Sequence, residues 1–277
     1  MGEQIMNYRR TVILSLTAAV ASNALASDPQ YTLSDRNSSA TFDVNSGQIA
    51  WDVDDTSQLF AQEFYFRRST DQSEVLLSST NLSLDGVFTT DTNPFRDDRN
   101  DALGMLFSDD NGMQIETIFT LRGGTDGSNR SDLGEQIVIR NNSQEIMTLS
   151  FFQFVDFDLG GDLNDDSGEI ISGNTVRQSD DDLSVSETVV TPQPTLFQVG
   201  DADAMDAMFN DNAIDDLDGT SSHSGTVAWA FQWDITLQAG QAFIITKDKS
   251  IVPAPGSLAL IGLAGLIANR RTRRESP

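Results

Sequence analysis

Val227-Ala228-Trp229-Ala230-Phe231-Gln232-Trp233-Asp234-Ile235 is the stretch that decides the fold. In an extended chain successive side chains point to opposite faces, so Trp229, Phe231, Trp233 and Ile235 share one face and Ala228, Ala230, Gln232 and Asp234 the other. A row of large rings on one face is expected to be the inner wall of a sandwich, packed on a facing sheet; left exposed, the same rings would make a platform for stacking a sugar. Ala239-Gly240 then reads as a tight turn, and Ala242-Phe243-Ile244-Ile245-Thr246 is expected to pair back on the Trp strand.

Working outward, period-two alternation recurs, broken by Gly, Asp, Asn and Ser clusters, which predicts an antiparallel all-β domain. Strands are expected over 40–44, 48–53, 59–67, 74–79, 86–90, 102–108, 113–121, 136–141, 146–156, 168–178, 183–190, 226–238 and 241–247. In 146–157, Phe152, Phe154 and Asp156 fall on one face and Phe151, Gln153, Val155 and Phe157 on the other, so this strand is expected to be covered on both sides. With Gln136-Ile137-Val138-Ile139-Arg140 and the turn Asn141-Asn142-Ser143 it reads as a hairpin. The one helical candidate is 202–217, where Met205, Met208, Phe209 and Ile214 approximate a stripe amid dense Asp and Asn. No linker divides the body, so the expectation is a single large antiparallel β-sandwich, jelly-roll-like, over 27–251.

The chain has a net charge of −25. Its two ends hold six Arg against two Glu, so the body between them is more acidic still. Such a surface repels polyanions, whose binding depends on Lys and Arg neutralising phosphates, and nucleic-acid binding is excluded. There is no cysteine. That removes thiol catalysis, thiolate metal sites and disulfide staples, leaving packing to stabilise a body long enough to bury a core.

Candidate chemistry is sparse. Asp162, Asn164 and Asp166 in Asp162-Leu163-Asn164-Asp165-Asp166-Ser167-Gly168-Glu169 place oxygen ligands at alternate positions, as a calcium loop requires. Ser167 stands where the turn glycine of such loops belongs, and Gly173 stands in the place of the bidentate glutamate. A solvated acidic loop is the alternative. His223, the one histidine, sits in Ser221-Ser222-His223-Ser224-Gly225, with no Gly-x-Ser-x-Gly elbow to make it part of a triad. Gly123-Gly124 and Gly160-Gly161 lack the following Lys-Ser/Thr of a phosphate loop and read as turns. Paired carboxylates for glycoside chemistry are too easily found among 42 acidic residues to single out any two.

Both ends carry topogenic signals. Arg9 and Arg10 precede the apolar run 12–21, and Ala24-Leu25-Ala26 forms a small-x-small cleavage site, the pattern of a secretory signal peptide over 1–26. At the other end Val252-Pro253-Ala254-Pro255-Gly256-Ser257 leads into the apolar run 258–268, which stops at Arg270-Arg271-Thr272-Arg273-Arg274. The run gives roughly 16 Å of helix at 1.5 Å per residue, and the arginines are expected on the cytoplasmic side. Pro253 and Pro255 hold the preceding chain extended or turned, and accessible to a processing enzyme. A turn cluster, a short apolar helix and a basic end, in that order, resemble the PEP-CTERM sorting signal, with Ala254 in the central position of the Pro-Glu-Pro motif. Taken alone, the tail also reads as a plain C-terminal anchor.

What the resemblance implies is an exosortase partner that processes residues 252–277 at the proline motif. The protein would be exported through the inner membrane, held transiently by its tail and passed to the cell surface. The function expected on this reading is a non-enzymatic structural or interaction protein of the extracellular matrix, exopolysaccharide or biofilm. The alternative is a carbohydrate-binding β-sandwich module, calcium-dependent through the Asp162 loop. It would use exposed rings among Trp51, Tyr65, Phe66, Trp229, Phe231 and Trp233. A third reading is a glycan-active enzyme built on two carboxylates.

Overall fold

A computed structural model describes residues 29–45, 47–77, 82–93, 98–161 and 165–254. The signal-like residues 1–26 and the tail from Pro255 onward, with Gly256, Arg270, Arg271, Arg273 and Arg274, lie outside them, as do Asp162 and Asn164. Eighteen strands are described, more than the eight of a simple jelly roll. They are β1 (Gln30–Asp35), β2 (Ser38–Asp43), β3 (Gly47–Val53), β4 (Thr56–Ser57), β5 (Leu59–Arg68), β6 (Val75–Leu76), β7 (Ser83–Thr90), β8 (Ala102–Ser108) and β9 (Met113–Gly123) in the first half. The second half holds β10 (Ser131–Asn141), β11 (Met147–Phe157), β12 (Asp166–Ser172), β13 (Thr175–Ser179), β14 (Leu183–Thr191), β15 (Leu196–Asp201), β16 (Ser222–Gly225), β17 (Val227–Leu237) and β18 (Ala242–Pro253), with one helix, α1 (Ala202–Asn210), after β15.

These strands form two antiparallel sheets of nine. One runs β1-β2-β3-β5-β11-β17-β15, with β4 and β6 attached to β3 and β5; the other runs β16-β12-β13-β14-β18-β10-β9-β8-β7. The fold is therefore an all-β sandwich, as the alternation predicts. Trp229, Phe231, Trp233 and Ile235 are buried in the main core, in one cluster with apolar residues of both sheets and with ring neighbours in their own. Phe157 lies stacked on Trp229 at 5.4 Å between ring centres. Every indole N–H has an acceptor: Trp51 donates to Ser131 Oγ at 2.9 Å, Trp229 to Glu187 Oε2 at 3.0 Å and Trp233 to the Pro192 carbonyl at 3.1 Å. A buried indole without one would lose the water it gave up with no replacement.

Two expected pairings are corrected. β18 does not return to the Trp strand; it lies between β10 and β14 in the other sheet. Likewise β10 and β11 are not a hairpin, because β10 pairs with β9 and β18 while β11 pairs with β5 and β17. Both connections cross from one sheet to the other. Asn141 ties them together: its N–H donates to the Gln241 carbonyl at 2.9 Å and its carbonyl accepts from Gly240 N at 2.7 Å. With inter-sheet ties available at the chain reversal, local turn chemistry does not force a hairpin.

The expected strand 168–178 is in fact two, β12 and β13, folded on each other. The 202–217 helix is shorter than predicted, ending at Asn210. It starts where Asp201 caps it, accepting from Ala204 N at 3.0 Å. Its buried stripe, Ala202, Met205 and Phe209, covers Tyr65, Phe152, Phe154, Ala228 and Ala230 on the outer face of the β5-β11-β17 sheet. That explains why β11 is apolar on both faces.

Between the sheets lies a polar centre. Lys247 and Lys249 of β18 meet Glu135 of β10 and Glu187 of β14, all buried, with Lys247 Nζ 2.6 Å from Glu135 and 3.2 Å from Glu187. Lys249 pairs with Glu135 and with Gln62 of the facing sheet, and Gln153 donates to Glu187 at 3.3 Å. Burial would raise the Glu135 carboxyl, but the two ammonium groups outweigh it and bring it down to about 2. The two positive and two negative charges balance, the condition under which buried charge is tolerable.

Candidate functional site

The end of the sandwich where β1 and β2 approach β8 and β9 carries two adjoining hollows lined by charged residues. β1 and β2 are joined by the two-residue turn Arg36-Asn37, with Arg36 at φ 48°. β3 and β4 are joined by Asp54-Asp55, at φ 49° and 65°. Two-residue hairpin loops of this kind need positive φ, which Asn and Asp tolerate best after glycine. Opposite them, Gly123 ends β9 so close to β1 that a Cβ there would stand 2.0 Å from the Asp35 carbonyl. Only glycine lets the sheets meet at this corner.

Two buried aspartates line the hollow. Asp101 accepts from Thr92 N at 2.7 Å, Thr92 Oγ1 at 2.8 Å and Asn93 N at 2.9 Å. Asp35 accepts from Gly123 N at 2.9 Å and from Asn93 Nδ2 at 3.3 Å, with Arg36 Nε at 3.5 Å. Asn93 thus bridges the two carboxylates. Together with Arg36, Arg122 and Thr120 they enclose a cavity of about 340 Å³. Arg36 also borders a wider hollow of about 650 Å³ lined by Asp52, Asp54, Arg99 and Asp126. Burial would raise the Asp54 carboxyl, but hydrogen bonds from Gly127 N, Asn129 N and Asn37 outweigh it and hold it below the usual carboxylate range. Asp54 thereby pins the loop between β9 and β10.

Two acceptor carboxylates and two donor guanidiniums thus line one space, the carboxylates almost fully buried behind their own donors. A second polar groove, about 470 Å³, crosses β12, β13 and β16 and is lined by Ser167, Glu169, Arg177, Ser179, Ser222 and His223. His223 lies on β16, not in a loop, opposite Gly168. An apolar void of about 20 Å³ between Phe64, Phe107 and Phe119 is too small and too dry for a sugar.

The sequence-derived candidates fare differently. Trp51, Tyr65, Phe66, Trp229, Phe231 and Trp233 are all buried, so none of them makes an open stacking surface; the rings fill cores instead. Of the calcium set only Asp166 is described. It points inward from β12 and accepts from buried Gln178 at 2.7 Å. No cluster of three metal-ligating side chains occurs among the described residues. Val252 and Pro253, expected in an accessible processing segment, are the last residues of β18 and pair with Ser184 and Leu183. Ala254 is buried, its N–H donating to the Asp182 carbonyl at 2.8 Å. Asp35, Asp101, Arg36 and Arg122 carry no motif; the four come together only through the inter-sheet corner.

No family model matches the chain, and no curated protein does. Among solved structures it is similar to a bacterial glucoamylase complexed with acarbose, with a TM-score of 0.54 and 9% identity over 89% of this chain and 36% of that one. It is also similar to a galactose mutarotase related enzyme from Lactobacillus acidophilus, with a TM-score of 0.51 and 8% identity over 82% of this chain and 98% of that one.

The sandwich is a fold that carbohydrate-active enzymes use. The chain spans about a third of the glucoamylase's length and nearly all of the mutarotase-related enzyme's. At these identities the likeness is one of fold. It corrects two expectations. The non-enzymatic reading rested on missing motifs, and those are no ground for exclusion in a fold that such enzymes share. The expectation of an exosortase-sorted matrix protein is corrected as well: no family model matches the chain, and the sandwich it folds into is similar to that of the two enzymes above.

Proposed function

We propose that this protein is a carbohydrate-active β-sandwich that binds a glycan in the Asp35–Asp101 hollow. The observation that carries the reading is the convergence of two buried carboxylates and two guanidiniums, Arg36 and Arg122, on one cavity of about 340 Å³. The arginines would donate to ring or hydroxyl oxygens, while Asp35 and Asp101, holding Gly123, Thr92 and Asn93, would fix the corner that presents them. The wider hollow beside Arg36 leaves room for further residues of an oligosaccharide. The test is binding of full-length protein to an array of neutral oligosaccharides, repeated with Asp101→Asn and Arg122→Ala. Binding that both variants weaken at least tenfold supports the reading; binding indifferent to both removes it.

A second reading, chemistry on the bound sugar, is favoured by the Asn93 bridge, which holds two carboxyl groups at one cavity. Acid–base work at an anomeric centre asks for such a pair. Reducing-end release and polarimetry on the oligosaccharides that bind would detect hydrolysis or anomer exchange, and Asp35→Asn should abolish either. Export rests on residues 1–26, and N-terminal sequencing of the exported protein tests it, cleavage after Ala26 being expected.

A further inference from the structure

We propose that the protein forms an internal amide cross-link between Lys249 Nζ of β18 and the side-chain carbonyl carbon of Gln62 of β5, with Glu135 as the catalytic residue. The bond would join the two sheets covalently in a chain that has no cysteine. It asks nothing of the glycan reading.

An amine, a primary amide and a carboxylate meet at one point of the core. Lys249 Nζ touches Gln62 Oε1, one bond from the carbon it would attack, and it also touches Glu135 Oε1. The same Glu135 Oε1 accepts from Gln62 Nε2 at 3.1 Å. One carboxylate oxygen therefore contacts both the nucleophile and the leaving group, the position a proton relay between them requires. Gln153 Nε2 lies 3.5 Å from Gln62 Oε1, a donor for the charge that develops on that oxygen during attack.

The surroundings favour the amide once made. Gln62 and the side chains of Glu135 and Lys249 are fully buried. The Phe64 ring lies 5.1 Å from Lys247 Nζ, and the Trp229 indole donates to Glu187, so rings wall the site and keep out the water that would hydrolyse the product. Burial outweighs the neighbouring carboxylates and holds the Lys249 amine below its ordinary value, which eases release of the proton that masks its lone pair.

The step balances without an oxidant or an outside reagent. The Nζ–Cδ bond forms and the Cδ–Nε2 bond breaks. Of the two protons that Nζ gives up, Glu135 relays one to the leaving nitrogen, which departs as ammonia. The other stays on the Glu135–Glu187 carboxylate pair, so that two carboxylates, one proton and the Lys247 ammonium leave the site neutral. The link joins residues 187 apart in the sequence and fixes β18 to the facing sheet. Closing so long a loop restricts the unfolded chain as a disulfide would.

The test is mass spectrometry of the full-length protein, held folded at neutral pH, then denatured and digested. The expected result is the peptide that holds Gln62 joined to the one that holds Lys249, lighter than their sum by one ammonia. On a denaturing gel the linked chain should run ahead of Gln62→Leu, which cannot form the bond. Glu135→Gln should form it on the order of a hundredfold more slowly.

Separate, unmodified peptides from folded wild type overturn the proposal, and that readout needs no variant to fold. A link from Lys249 to Glu135, lighter by one water, overturns Gln62 as the acceptor. Formation at the wild-type rate in Glu135→Gln overturns the relay.

Discussion

Asn141 on β10 donates through Nδ2 to the carbonyl of Leu237 on β17 at 3.0 Å, joining strands that belong to different sheets. A second bond from the same Nδ2 reaches the Glu145 carbonyl at 2.7 Å. Asn141→Ala would leave the buried Leu237 carbonyl short of a donor and the two crossing connections untied. The expected loss is about 2 kcal/mol, read as a lower urea midpoint with an unchanged slope.

Lys249→Met is expected to be far more harmful than its exposed counterparts, because it leaves Glu135 and Glu187 facing a single ammonium inside the core. Breaking a buried ion pair by removing one partner costs about 3–5 kcal/mol. Lys249→Met with Glu135→Gln restores the charge balance and should recover part of that loss; equilibrium denaturation of the single and double variants measures it.

Acid should find the same quartet. Glu135 sits at about 2 in the folded protein against 4.5 for the free side chain. A depressed carboxyl contributes stability in full above its unfolded value, and that contribution is lost as pH falls from about 4.5 towards 2. Melting temperatures recorded from pH 6 to pH 2 should fall through that window, with a shallower fall in the Lys249→Met/Glu135→Gln variant.

Glycan binding in the Asp35–Asp101 hollow is expected to leave tryptophan emission unmoved. All three indoles are at most 1% exposed and hydrogen-bonded inside the sandwich. A saturable change in emission on adding an oligosaccharide that binds would place the sugar against a tryptophan and away from this hollow.

Asp54→Ala should free the loop that Gly127 and Asn129 anchor to it. Because the Asp54 carboxyl also shapes the wide hollow beside Arg36, longer oligosaccharides should lose affinity several-fold while monosaccharides do not. Titration calorimetry with a length series separates the two.

Much of the sandwich was legible because alternation is a local property: a strand with Trp229, Phe231 and Trp233 on one face states its period whatever it pairs with. Pairing is not local. Whether β18 follows β17 into the same sheet depends on Asn141, just over a hundred residues earlier in the chain, and on Glu135 and Glu187 awaiting its lysines. β1, β15 and β16 escaped notice because Thr, Ser, Gln and Gly dilute their alternation. The hollow was invisible for a similar reason. Asp35-Arg36-Asn37-Ser38 reads as an ordinary turn, and Asp101 stands out only once β9 has brought Gly123 and Arg122 beside it. The rings misled in the opposite way: their pattern identified a strand face, but only the facing sheet and α1 decide that each is covered.

The position of β18 also sets an order of events in the life of the chain. Its neighbours β10 and β14 are joined in the sheet only through it, and it carries both lysines of the central quartet. Until residues 242–253 arrive, the β16-β12-β13-β14 and β10-β9-β8-β7 halves have no common strand, and Glu135 and Glu187 have no counter-charge. A nascent chain, emerging N-terminus first, can make hairpins but cannot close the domain. The domain has to wait for residues 242–253 to appear, and a chain threaded through a pore would stay open until that strand had passed.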